Sequence, residues 1–319
     1  MTEPTDVNAN NVALDVPPTS GTDLHGTSGG GKGQKKERNR SLWSDAWRHL
    51  IRSPIFIVSA LIVLTVLSMV IAPWLWTDNN PYNCLLQRGK QGPTAGHPFG
   101  FGLQGCDMYA RVIYAAGDSI KIAVSATLAT AIVGGAIGTI AAYYGRWVDA
   151  ILSRLTDIVF GLPFIVGALL FLSIMGTHDV WAIAGVLIVL GWTQLMRIMR
   201  GSVLEIMNRD FVRAAKGLGA SDARIIFRHL LPNAIAPVVV ISTVALGGYV
   251  SAEATLTFLG VGLRPPDLSW GQLIAVGDGY ALAGHWHMLV FPCAFLVVTV
   301  LAFIMMGDAL RDALDPKLR

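Results

Sequence analysis

Long apolar blocks separated by shorter polar stretches set the first expectation for this chain. Six blocks, at 55–72, 120–143, 155–175, 180–198, 234–259 and 287–306, lie near the ~20 residues that a helix needs to cross a bilayer core. Lipid offers no partner to backbone N–H and C=O groups, so each block is expected to satisfy them internally as a helix. No ten-residue alternation of a barrel strand interrupts them. The expected class is an all-α integral membrane protein with six transmembrane helices.

The Lys and Arg between the blocks orient the bundle. With both termini cytoplasmic, only Arg88, Lys90, Arg111, Lys121 and Arg264 fall outside. That is a strong positive-inside bias. Residues 73–119 then form an extracytoplasmic loop. Residues 1–40 are rich in Gly, Ser, Thr, Asn and charge, and read as a disordered cytoplasmic tail without the apolar core of a cleavable signal peptide. Gly26, Gly31 and Lys32 there mimic a phosphate-binding loop, but Gly33 stands where Ser or Thr would hold Mg²⁺, and no strand precedes them. In 41–54, Trp43, Trp47, Leu50 and Ile51 recur at helical spacing beside Arg48 and Arg52, which suits an interfacial helix or an early start to the first span.

Composition agrees with the pattern. Of 319 residues, 53% are hydrophobic and 14% charged, against about 25% charged in soluble domains. The net charge of +3 is spread over block ends, not gathered on one face, so nucleic acid is not an expected partner, whereas membrane lipid is. No His-Glu-x-x-His, Gly-x-Ser-x-Gly or close Cys pair is present, so no catalytic or metal site is expected.

Within the spans, Gly134 and Gly138 form a Gly-x-x-x-Gly that permits close helix approach, either inside the chain or toward a second one. Glu253 lies in the fifth block, where a carboxylate needs an ion pair, a cap or a cavity on the translocation path. Thr193 and Gln194 either line such a path or bond a neighbouring helix. Asp157 and Asp308 are expected to pair with Arg154 and Arg311. His285 and His287 flank Trp286, an interfacial anchor, and Cys293 belongs to core packing.

The segment 199–232 differs from an ordinary loop. Phe211, Ala214, Ala215 and Leu218 recur at i, i+3, i+4, i+7, with Arg209, Asp210, Arg213 and Lys216 elsewhere. Gly219 can end that helix and Ser221 cap the next, which gathers Ala223, Ile226, Phe227, Leu230 and Leu231 before Pro232 disfavours helix. Two patterned helices around a glycine suit a docking element, or a self-packed lid.

Ala214-Ala215, Gly219 and Leu231-Pro232 resemble the Glu-Ala-Ala…Gly…Leu-Pro loop of permeases in bacterial ATP-binding-cassette importers, with Arg213 in place of the usual Glu. Arg154-Leu155-Thr156-Asp157 with Pro163, the run Glu253–Gly260, Pro265-Pro266, Ser269-Trp270-Gly271 and the ending Gly307–Pro316 are similar to the dipeptide and oligopeptide branch, in its second permease subunit. The resemblance implies a type I importer permease fold in a bacterial inner membrane. It implies a non-catalytic chain that binds no cofactor, beside a homologous second permease, two ATPase subunits carrying ATP and Mg, and an extracytoplasmic substrate-binding protein. The implied substrate is a short peptide, with nickel or another small solute as alternative. Phe211, Ala214, Ala215, Leu218, Gly219, Ile226, Leu231 and Pro232 would couple to the ATPase. Cys106 stands where the family has Gly-Arg-Asp, and with Cys84 it suggests a disulfide in the oxidising exterior. A secondary transporter or channel is the reading from a different class.

Overall fold

The computed structural model describes residues 47, 48 and 50–314. The tail at 1–40, with its Gly26–Lys32 string, and the start of the surface helix lie outside them. Nine helices follow in the described residues: α1 (Pro54–Ile71), α2 (Met108–Tyr144), α3 (Arg146–Phe160), α4 (Phe164–Met175), α5 (Val180–Met207), α6 (Asp210–Gly217), α7 (Asp222–Phe258), α8 (Trp270–Ala281) and α9 (His287–Leu314). Extended pairing among them is limited to isolated bridges in the outer loop.

Helices α1, α2, α5, α7 and α9 are each long and apolar enough to cross a membrane; α3 and α4 pass that test only together, as a bent pair that makes a sixth span where it is counted as one. The third block was expected as one helix over 155–175. It instead begins at Arg146 and turns by 87° between Phe160 and Phe164. Pro163 is the cause: it lacks an N–H and its ring disfavours helix at the preceding residue.

The second span also departs from expectation. It starts at Met108, not near 120, because the Asp107 carboxylate accepts from the N–H groups of Tyr109 (2.8 Å) and Ala110 (3.3 Å). The outer loop is shorter by the length 108–119. At the other end of the chain, residues 47, 48 and 50–52 are helical and separate from α1, whose N-cap is Ser53. Leu50 packs on Ala309 and Ala313, while Trp47 and Ile51 stay exposed.

Close packing of α2 on α5 forms the centre. A Cβ on Gly134 would lie 2.6 Å from the Trp192 carbonyl oxygen, and one on Gly138 would lie 2.5 Å from that of Met196. The Gly-x-x-x-Gly is therefore an internal contact. Between lipid-facing helices this dispersion packing replaces the hydrophobic effect as the cohesive term. The core continues outward through Ile113, Ile120, Leu187, Val250 and Leu256 to Trp270, which is fully buried.

Candidate translocation path and cytoplasmic docking segment

Helix α6 projects from the inner end of α5. Gly219 takes φ +78°, and the Ala220 N–H returns to the Ala215 carbonyl at 3.1 Å, so the chain reverses there as its glycine suggests. Ser221 occupies the cap position of α7, although its hydroxyl makes no capping bond. The second helix was expected to stop at Pro232, and it does not. Residues Ile225–Leu230 form a π-helical turn, the Leu231 N–H bonds back to the Ile226 carbonyl, and the helix runs on as the fifth span. Pro232 is then the second residue of the resumed α-helix, where its missing N–H is harmless.

Val212, Ile225, Leu230 and Ala234 bury the segment against Met199 and Val203 of α5. Val212 anchors α6 from outside the sequence-derived stripe, and reasoning from that stripe missed it. The stripe itself faces outward: Leu218 is 89% exposed, Phe227 71% and Phe211 46%. Ala214, Gly219 and Pro232 are exposed beside them, whereas Ala215, Ile226 and Leu231 are half-buried. Tyr143 donates to Asp222 (2.6 Å) and thereby ties the knuckle to the end of α2. Arg213 is exposed.

The break in the third span opens a cavity of about 450 Å³. Phe160, Pro163 and Phe164 form one wall, Thr193 and Gln194 of α5 a second, and Gly248, Tyr249 and Ala252 of α7 a third. Irregular backbone at membrane depth is tolerated where it is covered by protein or lines such a cavity. Gln194 is exposed, while Thr193 is 2% exposed and donates to its own helix at Leu190 (3.4 Å). Gly191 leaves room for the ring of Tyr249, whose hydroxyl would lie 2.2 Å from a Cβ there.

Glu253 is not among the cavity residues. It is fully buried and accepts from Ser119 Oγ and Thr257 Oγ1, both at 2.9 Å. The Ser119 hydroxyl also accepts from the Trp270 N–H (3.3 Å), so the carboxylate joins α2 to α7 and the start of α8. No basic side chain pairs with it among the described residues.

Below the cavity, Arg200 forks onto both oxygens of Asp149 and Arg197 bonds Asp157 at 2.9 Å. Arg197 also lies over the Phe160 ring, 4.2 Å from its centroid. Arg154, the expected partner of Asp157, is farther at 3.9 Å. The expected Asp308–Arg311 pair does not form among the described residues. Two guanidinium contacts thus fasten the inner half of the broken span to α5, the helix that leads into α6.

At the outer face, the sulfurs of Cys84 and Cys106 are 2.01 Å apart. His97 Nδ1 meets Asp107 Oδ2 at 2.7 Å, and Phe99 stacks on Phe291 of α9. His287 bonds the Phe101 carbonyl through Nε2 (3.1 Å), so it serves the loop. Among the described residues no cluster of three His, Cys, Asp or Glu could hold a metal. Cys293 is half-buried in α9.

Residues 134–319 match the family described as "Binding-protein-dependent transport system inner membrane component". Residues 41–93 match "N-terminal TM domain of oligopeptide transport permease C". The chain is 36% identical over 285 residues to a dipeptide transport system permease protein of Bacillus subtilis, covering 89% of this chain and 88% of that one. It is 38% identical over 276 residues to a putative peptide transport system permease protein of Brucella suis, covering 85% and 91%. A glutathione transport system permease protein of Pectobacterium atrosepticum is 31% identical over 285 residues, covering 88% and 93%. The fold resembles a chain of the inward-facing MetNI methionine ABC transporter, with a TM-score of 0.53, 20% identity, and coverage of 63% of this chain and 95% of that chain.

Proposed function

The chain belongs to the family of binding-protein-dependent transport system inner membrane components, and on that premise we propose that it forms half of the path of an ATP-driven importer of short peptides. It is a multi-pass inner-membrane permease subunit of an ABC importer and carries no catalytic role of its own. Family membership also removes the secondary-transporter and channel alternatives.

The observation that carries the proposal is the apolar knob at the cytoplasmic end, Phe211, Leu218 and Phe227, presented on a segment whose own anchor is Val212. Exposed aromatic and aliphatic side chains on a rigid helix pair are suited to a groove in another protein. That partner is an ATPase subunit, one beneath this chain and one beneath a homologous second permease, with ATP and Mg bound there. The names of the peptide-transport relatives support the substrate class.

Movement of α6 reaches the membrane through α5. The Arg200–Asp149 and Arg197–Asp157 contacts carry it to the inner half of the broken span, whose bend is one wall of the cavity. ATP-driven approach of the two ATPases therefore shifts the wall opposite Gln194 and Thr193, the proposed path residues. Glu253 lies behind the α7 wall, where it joins α7 to α2 and the start of α8. An extracytoplasmic binding protein delivers the peptide to the outer face. There the Cys84–Cys106 disulfide closes the loop, contributing about 3 kcal/mol by restricting the unfolded chain.

The test is uptake of a radiolabelled dipeptide by proteoliposomes holding the complex purified from native membranes, with its binding protein added outside and ATP inside. ATP-dependent accumulation is the expected result. Dipeptide entry that proceeds equally without ATP contradicts the proposal.

A further inference from the structure

Among the described residues, Arg111 is the one arginine of the outer face that is partly buried and without a counter-ion. It sits on the first turn of α2, partly buried, and pairs with no carboxylate among the described residues. Its hydrogen bond is to Cys106 Sγ at 3.7 Å, a weak acceptor, and its Nε is enclosed without a partner. Gln272 on α8 has an enclosed Oε1 that is equally unpartnered. Both side chains line one cavity of about 240 Å³, walled by Leu103 and Gln104 of the outer loop, Pro265, and Met288 of α9.

Such an arrangement is costly within the isolated chain. A partly buried guanidinium without a counter-ion gives up part of its hydration for one weak hydrogen bond. The neighbouring structure is nonetheless rigid. Tyr82 donates to the Pro266 carbonyl at 3.2 Å, and the link from Cys84 to Cys106 fixes the wall beside Gln104. No residue is shared with the larger cavity at the broken span, so this pocket lies off the proposed path.

We propose that Arg111 and Gln272 form a socket for a carboxylate side chain of the extracytoplasmic protein that docks on this face. The guanidinium supplies the charge and the forked donors that a carboxylate accepts. Gln272 lines the same cavity, and with its amide turned so that the N–H₂ faces inward it adds a further donor. With a single cation the socket pairs one acidic side chain, so it sets the register of docking and does not carry the whole contact. The inference rests on the importer reading for the existence of that partner.

The experiment uses the assembled complex in nanodiscs, with binding of its extracytoplasmic component measured at low and high salt. Arg111→Gln is expected to weaken docking about 30-fold or more, the scale for truncating one partner of a buried charge pair. Arg111→Lys should restore part of the loss. Gln272→Glu should weaken docking similarly, because the new carboxylate occupies the guanidinium from within. The free complex carrying Arg111→Gln should melt at a higher temperature than wild type, since a partly buried, unpaired charge has been removed. Undiminished docking by Arg111→Gln overturns the socket, and so does its thermal destabilisation, which would mark Arg111 as a structural residue. A rise in the wild-type melting temperature on adding glycylglycine alone would assign the carboxylate to a free solute and overturn the protein-borne source. If wild type binds no extracytoplasmic component at all, the importer reading fails first.

Discussion

The outer and inner ends of this bundle differ in where their side chains find partners. At the outer end, several polar and aromatic groups are satisfied within the chain: Glu253 takes two hydroxyl donors, the Trp270 indole N–H bonds the Val112 carbonyl at 3.0 Å, and Phe99 stacks on Phe291. At the inner end, Val212 and Ile225 are buried, yet Phe211, Leu218 and Phe227 face solvent. The contrast is one of degree: the outer loop is tied to the bundle by its own polar and aromatic contacts, though Leu86, Leu282 and Trp286 stay exposed, whereas the inner segment presents its apolar face outward, the face that the proposed reading gives to another protein.

The comparison breaks most severely at Trp270. Replacing it with Ala removes the largest fully buried side chain and its hydrogen bond, and should cost about 3–5 kcal/mol, read as a lowered melting temperature in detergent. Phe211→Ala combined with Leu218→Ala should do the reverse: capture of the ATPase weakens by about 2 kcal/mol or more, while the melting temperature of the isolated chain hardly moves. Glu253→Ala comes next, at about 1–3 kcal/mol, because the Ser119 and Thr257 hydroxyls lose their buried acceptor. Its effect should appear in stability; an unchanged melting temperature with altered peptide selectivity would return Glu253 to the path.

The smallest effect concerns pH. Burial, and then the charges of Asp118 and Asp179, raise the Asp267 carboxyl above its ordinary range. The folded state therefore holds that proton more tightly than the unfolded chain. The resulting stabilisation is present below the ordinary carboxylate range and fades as pH rises through the raised value. Asp267→Asn should match wild type in acid and melt slightly higher near pH 7. An equal difference at both pH values would locate the effect elsewhere.

Much of the architecture was legible because lipid imposes one rule on every span. Block lengths gave the crossings, and Gly219 gave the reversal. Boundaries were less legible where capping overrides hydropathy: Asp107 starts α2 well before its apolar block, and Pro163 divides a block of continuous hydropathy. The π-helical turn ahead of Pro232 was invisible, since periodicity analysis assumes an α register throughout. At the candidate site, the stripe Phe211, Ala214, Leu218 was readable as a face, but not that it points away from the bundle. That depends on Val212, a single apolar residue off the stripe. Long-range pairs such as Arg200–Asp149 and Arg197–Asp157 could not be ordered by sequence separation, which favoured Arg154 instead.

Isolation of the chain from native membranes in mild detergent, with every stoichiometric partner identified, tests the central claim most directly. The account predicts a complex with two ATP-hydrolysing subunits and one homologous permease, from which the ATPases are lost when Phe211 and Leu218 are replaced together. A chain that purifies alone, or one whose ATPases remain equally bound after that double replacement, would contradict it.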